Sequence, residues 1–353
     1  MKYLFSLVCV SMGLSNLFAQ VPKPKLTAAE IKAVDAYLNL LRGCCIPDGA
    51  IVMVDNGPKG PVWIAPYFGD FVALALLAAN DSYKADAKDV TRVENWILWR
   101  VARQEKGGYW FDYVGTTRAN YKSNGQVDAH DSSAAMFLLV LERFRKSGGK
   151  ITPKMQASAK AAFKCIQDVT DEDGLTWAKP DYQVKFLMDN IEVYAGLHAA
   201  RDFFTKLKEP DLAKACAEQL EKLAKRLPEY YGAKEKSQFA WAKHSNGNFD
   251  GGFEKLYPHG LAGLFGISFV KTDGALFEKI QESFQPGTGP ADTGAERFFI
   301  SACRIGGKAA TKWRTEVLND NSLFNATKTY SYRPALAVLG LLEGSDWMPS
   351  LNR

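Results

Sequence analysis

The chain has 353 residues, a formal net charge of +5 and 47% hydrophobic side chains. Its 44 basic residues are spread along the sequence without a clustered stripe, which argues against a nucleic-acid surface. Its apolar runs fall short of the ~20 residues a bilayer span requires, so no stable membrane insertion is expected.

Residues 1–19 read as an export signal: Lys2 gives a positive start, Tyr3 to Leu14 is apolar apart from Ser6 and Ser11, and Ala19 marks the cut. The expected destination is the periplasm or the extracellular space. Residues 20–26, with Pro22 and Pro24, make an extended lead-in. No linker or low-complexity segment follows, so residues 27–345 are expected to form one closed domain with a tail at 346–353. The cysteines beyond the leader (Cys44, Cys45, Cys165, Cys216 and Cys303) form neither a disulfide framework nor a zinc pattern. Cys165, Cys216 and Cys303 read as buried thiols, while one of the adjacent pair Cys44 and Cys45 is left open to pairing elsewhere.

Periodicity and helix punctuation predict helices near 27–43, 66–80, 84–104, 128–147, 153–169, 181–207, 210–229, 256–270, 273–284, 291–305, 308–319 and 330–344. No two-residue alternation is long enough to predict a sheet of any size. Odd-numbered helices carry one apolar stripe, as in Asp211-Leu212-Ala213-Lys214-Ala215-Cys216. Even-numbered ones are apolar all round and rich in small residues, as in Phe71-Val72-Ala73-Leu74-Ala75-Leu76 and Pro334-Ala335-Leu336-Ala337. A helix that is apolar on every side must be buried on every side. Turns from even to odd helices are short, whereas most of those from odd to even are long: 44–65, 105–127, 170–180, 230–255 and 320–329. The pattern is all-α: an outer and an inner helix repeated six times, an (α/α)6 toroid with its long loops at one end. Long loops gathered on a rigid scaffold usually carry function.

This alternation resembles the six-hairpin glycosidase superfamily over essentially the whole chain after the leader, and the resemblance is architectural. It implies a carbohydrate substrate. Members include hydrolases of glucans, xylans and unsaturated glucuronides, while polysaccharide lyases, epimerases and terpene cyclases use related toroids. No diagnostic motif of one family is present, so no catalytic residue follows from it by correspondence.

The long loops are rich in the flat aromatics that stack on sugar rings. Candidate substrate contacts are Trp63, Tyr67, Trp110, Trp177, Trp241, Tyr257 and Tyr332, with His130, His244, His259 and Arg333 as polar partners. Three acidic clusters stand where long loops enter inner helices. Asp128 and Asp131 share a helix face; capping is the plainer role for Asp128. Asp189 and Glu192 repeat that spacing, expected inside a helix, with Lys185 a possible partner of Asp189. Asp250 lies in a glycine-rich polar loop that reads equally as turn chemistry. Asp70 and the Asp292/Glu296 pair are in reserve. Glycoside hydrolysis needs two carboxyl groups across the scissile bond, and the expected source is one acid from each of the first two clusters. A lyase would instead use a histidine and a tyrosine, here His259 and Tyr257 or Tyr332, with Arg333 holding a uronate; a glycan-binding protein without catalysis would need only the aromatics. Asp171-Glu172-Asp173-Gly174 reads as a tight turn, since it lacks the later ligands of a calcium loop. Neither metal nor cofactor is expected.

Overall fold

The computed structural model describes residues 26–55, 60–284, 294–324 and 330–351. The export signal, most of the lead-in and the reserve candidate Asp292 lie outside these residues. Among the described residues there are twelve α-helices: α1 (Ala28–Cys44), α2 (Pro66–Ser82), α3 (Ala87–Ala102), α4 (Asp131–Lys146), α5 (Pro153–Asp168), α6 (Leu187–Lys206), α7 (Pro210–Arg226), α8 (Leu261–Phe269), α9 (Gly274–Ser283), α10 (Ala295–Ile305), α11 (Gly307–Asn319) and α12 (Tyr332–Glu343).

Their starts follow local chemistry. Thr27 and Glu30 form a reciprocal capping box on α1. Asp86, Thr152 and Asp273 accept first-turn N–H groups of α3, α5 and α9. Proline opens α2, α5 and α7, where its missing N–H costs nothing. The predicted start of the eighth helix is displaced: Leu256–Gly260 forms a wide turn around Pro258, which has no N–H to give, and α8 is regular only from Leu261.

Helices α2, α4, α6, α8, α10 and α12 pack each against the next, and α12 returns to α2, closing an inner ring. The odd-numbered helices lie outside it, each packed against one or both neighbouring inner helices. Burial follows the sequence pattern: Phe71 to Ala79 in α2 are fully buried, while α7 buries only Cys216, Gln219, Leu220 and Leu223. Each large apolar side chain so buried contributes about 1.5–3 kcal/mol. Small residues set the ring's tightness. A Cβ at Gly196 of α6 would stand 2.5 Å from the carbonyl oxygen of Ala135 in α4. Gly196→Val is therefore expected to force these backbones apart and cost about 1–3 kcal/mol. Denaturant midpoints read this directly, and an unchanged midpoint would contradict the backbone contact.

The long loops hold two small antiparallel sheets that periodicity did not predict. One is β1 (Val54–Asp55), β2 (Val62–Ile64), β3 (Tyr113–Thr117) and β4 (Asn120–Ser123), in that order; the other is β5 (Val184–Phe186), β6 (Ala242–His244) and β7 (Phe249–Asp250). Their strands have two to five residues, too short to show a two-residue period, and β2 pairs with β3 some fifty residues on, Trp63 facing Val114. The turn Asp171–Gly174 forms as expected, closed by the Gly174 N–H to the Asp171 carbonyl at 2.9 Å. It holds Lys185, whose Nζ lies 2.5 Å from Asp171 and 2.7 Å from Asp173, so Lys185 is not the partner of Asp189. All five described cysteines are free. No helix among the described residues is long and apolar enough to cross a membrane.

Candidate active site

A cavity of about 480 Å³ opens where the first turns of the inner helices converge. Tyr67 and Phe68 enter from α2, Asp128 and Ser132 from the start of α4, Met188 and Asp189 from α6, Tyr257 and Leu261 from the entry to α8, Arg297 from α10 and Tyr332 from α12. The long loops add Lys179, Tyr182, Phe186 and Trp241. The aromatic walls are held by stacking: Trp241 on Phe186 with centroids 5.6 Å apart, and Tyr332 between Phe68 at 4.5 Å and Tyr330 at 5.8 Å. Tyr182 and Tyr257 leave about half their surface open to solvent, 48% and 47%.

Among the described residues two carboxyl groups, Asp128 and Asp189, reach the cavity, and they differ. Asp128 is exposed at the approach to α4. Asp189 stands in the first turn of α6, not deep inside the helix as expected, because that helix begins only at Leu187. Burial, together with Asp131, Glu192 and Asp128, drives the Asp189 carboxyl well above the carboxylate range. Two further acids lie beneath. Asp131 is fully buried, accepts the Thr176 hydroxyl at 2.7 Å and the Ser132 N–H at 2.7 Å, and is raised by burial to about 6. Glu192 is fully buried, accepts the Tyr67 hydroxyl at 2.7 Å on one oxygen, and leaves the other without a hydrogen-bond partner. Burial takes it from 4.5 to about 8, against the pull of Tyr67 and Arg297. Asp112, next to this group, is raised to about 7 by burial and by Asp128.

The linkage has a definite sign. A carboxyl whose pKa is raised on folding adds stability below its unfolded pKa, and that stability is lost as pH rises through the folded value. The melting temperature is therefore expected to fall between about pH 5 and pH 8 as Asp131 and Glu192 ionise. Glu192→Gln, which keeps an acceptor for Tyr67, should flatten that fall; the same slope in both proteins would contradict the assignment.

Other sequence candidates lie elsewhere. Trp110 is a core residue, 2% exposed, donating to the Arg100 carbonyl at 2.8 Å with the guanidinium 3.9 Å from its ring. Trp177 does not line the cavity and carries Lys185 4.1 Å over its ring. Trp63 is exposed on β2 and donates to Asp112 at 3.4 Å, outside the cavity lining. His130 stacks on Tyr109 at 4.3 Å, and His244 pairs with Asp250 at 2.8 Å on the loop sheet. Asp250 therefore does not join the other acids. His259 lies 2.9 Å from Glu254 and edge-on to Trp241, so it is not assembled with Tyr257 in the cavity. Arg333 is fixed by Glu296 at 3.0 Å and Asp320 at 3.1 Å, and Asp70 by Arg100 and Trp96. Asp128 does not cap α4: the residue at that cap is His130, with no side-chain bond. Arg297, Lys179 and Asp112 went unread in the sequence. Arg297 carried no signal in the sequence, because the predicted helix began near 291 and its first-turn place in α10 emerges only with the start at Ala295.

Architecture and cavity together define an (α/α)6 toroid with a carboxyl-bearing, aromatic-walled pocket at the N-terminal ends of its inner helices. Among solved structures the chain is similar to a bacterial glucoamylase complexed with acarbose, at TM-score 0.62 and 11% identity over 92% of this chain and 57% of that one. It is also similar to an inactive variant of an α-1,6-mannanase of Salegentibacter sp. in complex with α-1,6-mannotriose, at TM-score 0.53 and 10% identity, covering 90% and 98%. An unsaturated glucuronyl hydrolase specific for heparin aligns at TM-score 0.54 and 13% identity over 88% and 95%. These likenesses show the six-hairpin toroid fold. No protein-family model matches the sequence, and no curated protein does.

Proposed function

We propose that the protein is an exported glycoside hydrolase in which Asp189 is the general acid and Asp128 the general base or nucleophile. The observation that carries this reading is the pair itself: Asp189 in the first turn of α6 and Asp128 at the approach to α4 share one aromatic-walled cavity, the first pushed towards its protonated form by burial and the second exposed to water. That is the asymmetry glycosidic cleavage requires. Asp189 gives its proton to the glycosidic oxygen as the bond to the anomeric carbon breaks. Asp128 serves the opposite side of the sugar. Water supplies the hydroxyl that ends on the anomeric carbon and gives up its proton: to Asp128 when Asp128 is the base, or to the ionised Asp189 when Asp128 has first bonded to that carbon as nucleophile. Trp241, Tyr182 and Tyr257 offer ring faces and edges to the sugars, and the hydrogen-bonded pair of Tyr67 and Glu192 backs the acid from below. Glycosidases with the same toroid, acarbose and mannotriose complexes among them, support a carbohydrate ligand.

The test is a panel of neutral and uronic-acid oligo- and polysaccharides, scored for new reducing ends and for absorbance of unsaturated products. Reducing ends without absorbance are expected. Absorbing products would make the protein a lyase and overturn the reading.

A further inference from the structure

The cavity holds a cation for which the hydrolytic roles give no use. Arg297 is only 7% exposed, lines the cavity, and its Nε is buried without a hydrogen-bond partner. Among the described residues its guanidinium makes no ion pair. The other buried arginines differ: Arg100 is matched by Asp70, and Arg333 by Glu296 and Asp320. What surrounds Arg297 is aromatic, with Phe265 at 5.2 Å and Phe71 and Tyr332 at 5.8 Å from the charge. Ring faces attract a cation but do not replace the hydrogen bond that the buried Nε–H lacks. Its position in the first turn of α10 adds unfavourable helix-dipole interaction. Glu192 does not pair with it: that carboxyl takes its hydrogen bond from Tyr67, at 2.7 Å. A second cation, Lys179, lines the same cavity.

We propose that Arg297 is the subsite for an anionic substituent on the sugar, a carboxylate or a sulfate, so that the cavity selects acidic glycans. This deepens the glycosidase reading and rests on the cavity being its glycan site. The planar guanidinium fork matches two oxygens of either group, and the ligand's anion would be the counter-ion that Arg297 lacks among the described residues.

Binding is the appropriate readout, since it does not depend on turnover. Glucuronate, its neutral methyl ester, glucose 6-sulfate and glucose are titrated into the full-length protein and into Arg297→Gln and Arg297→Lys, with melting temperatures as a fold check. At least one charged sugar is expected to bind wild type tenfold or more tightly than its neutral counterpart. Arg297→Gln should abolish that preference, and Arg297→Lys should keep part of it, since charge remains but the fork is lost. The acid and sulfate arms tell which anion is preferred. A preference below threefold in wild type, no binding of either charged sugar, or a preference that survives in Arg297→Gln overturns the proposal. Should Arg297→Gln fail to fold, the comparison of acid with methyl ester in wild type decides alone. Arg297-dependent binding with no hydrolysis on the substrate panel would leave this subsite standing and remove the hydrolase.

Discussion

Asp189→Asn is expected to lower turnover by about 10²- to 10⁴-fold, the usual contribution of a positioned general acid. The amide has the shape of the protonated carboxyl but no proton of comparable acidity to give. Its effect on stability should go the other way. In the native state the Asp189 carboxyl is pushed far up by burial and by Asp131, Glu192 and Asp128, so its ionised form is disfavoured on folding. By linkage, the stability tied to this group is complete below its unfolded pKa and declines as pH rises towards its folded value. A neutral amide does not titrate, so the variant should melt at or above the wild-type temperature at pH 8. Lost activity in a protein of undiminished stability is what a functional acid predicts. Activity loss with a fall in melting temperature would instead mark Asp189 as structural.

The largest expected loss of stability lies between α2 and α3. Asp70 and Arg100, both fully buried, pair between α2 and α3, and Asp70 also accepts the Trp96 indole N–H at 2.8 Å. The guanidinium reaches the Ser133 carbonyl at the start of α4 and packs 3.9 Å from Trp110 and 4.9 Å from Phe137. Asp70→Ala leaves that charge buried with only dipoles and rings around it. A cost of about 3–5 kcal/mol is expected, because the remaining ion keeps its desolvation penalty. Denaturant unfolding measures it, and a loss below about 1 kcal/mol would mean that the pair is not a joint of the ring. Replacing Asp70 and Arg100 together should cost less than Asp70→Ala alone, since no ion is then stranded.

The architecture was legible because burial demand is written into each helix. Runs such as Phe71 to Ala79 and Ala134 to Leu141 have no polar face, which forces them inside, and the capped, lysine-bearing helices between them can only lie outside. Short turns on one side and long loops on the other then placed the site at one end. The acids were legible in part. Asp128 and Asp189 reach the cavity, while Asp131 and Glu192 are fully buried; the helix face expected to carry both Asp128 and Asp131 does not form, because α4 begins only at Asp131. Which member of each pair faces the cavity depends on where the helix begins, and helix starts are poorly specified by periodicity. The aromatics were harder to sort. Trp110 and Trp241 look alike in sequence, yet one anchors Arg100 in the core and the other stacks on Phe186 in the cavity wall, a choice made by partners far along the chain. Arg297 was hidden because a charge between Glu296 and Phe298 reads as an ordinary polar position until its burial is known.

Asp128 and Asp189 are proposed to divide the acid and base work of glycosidic hydrolysis. The most direct test compares wild type, Asp128→Asn and Asp189→Asn on the glycan that gives the wild type its strongest reducing-end signal, with circular dichroism as the fold check. Folded proteins, turnover by wild type and a loss of about 100-fold or more in each variant are expected. Turnover within a few-fold of wild type in either folded variant would contradict this division of roles.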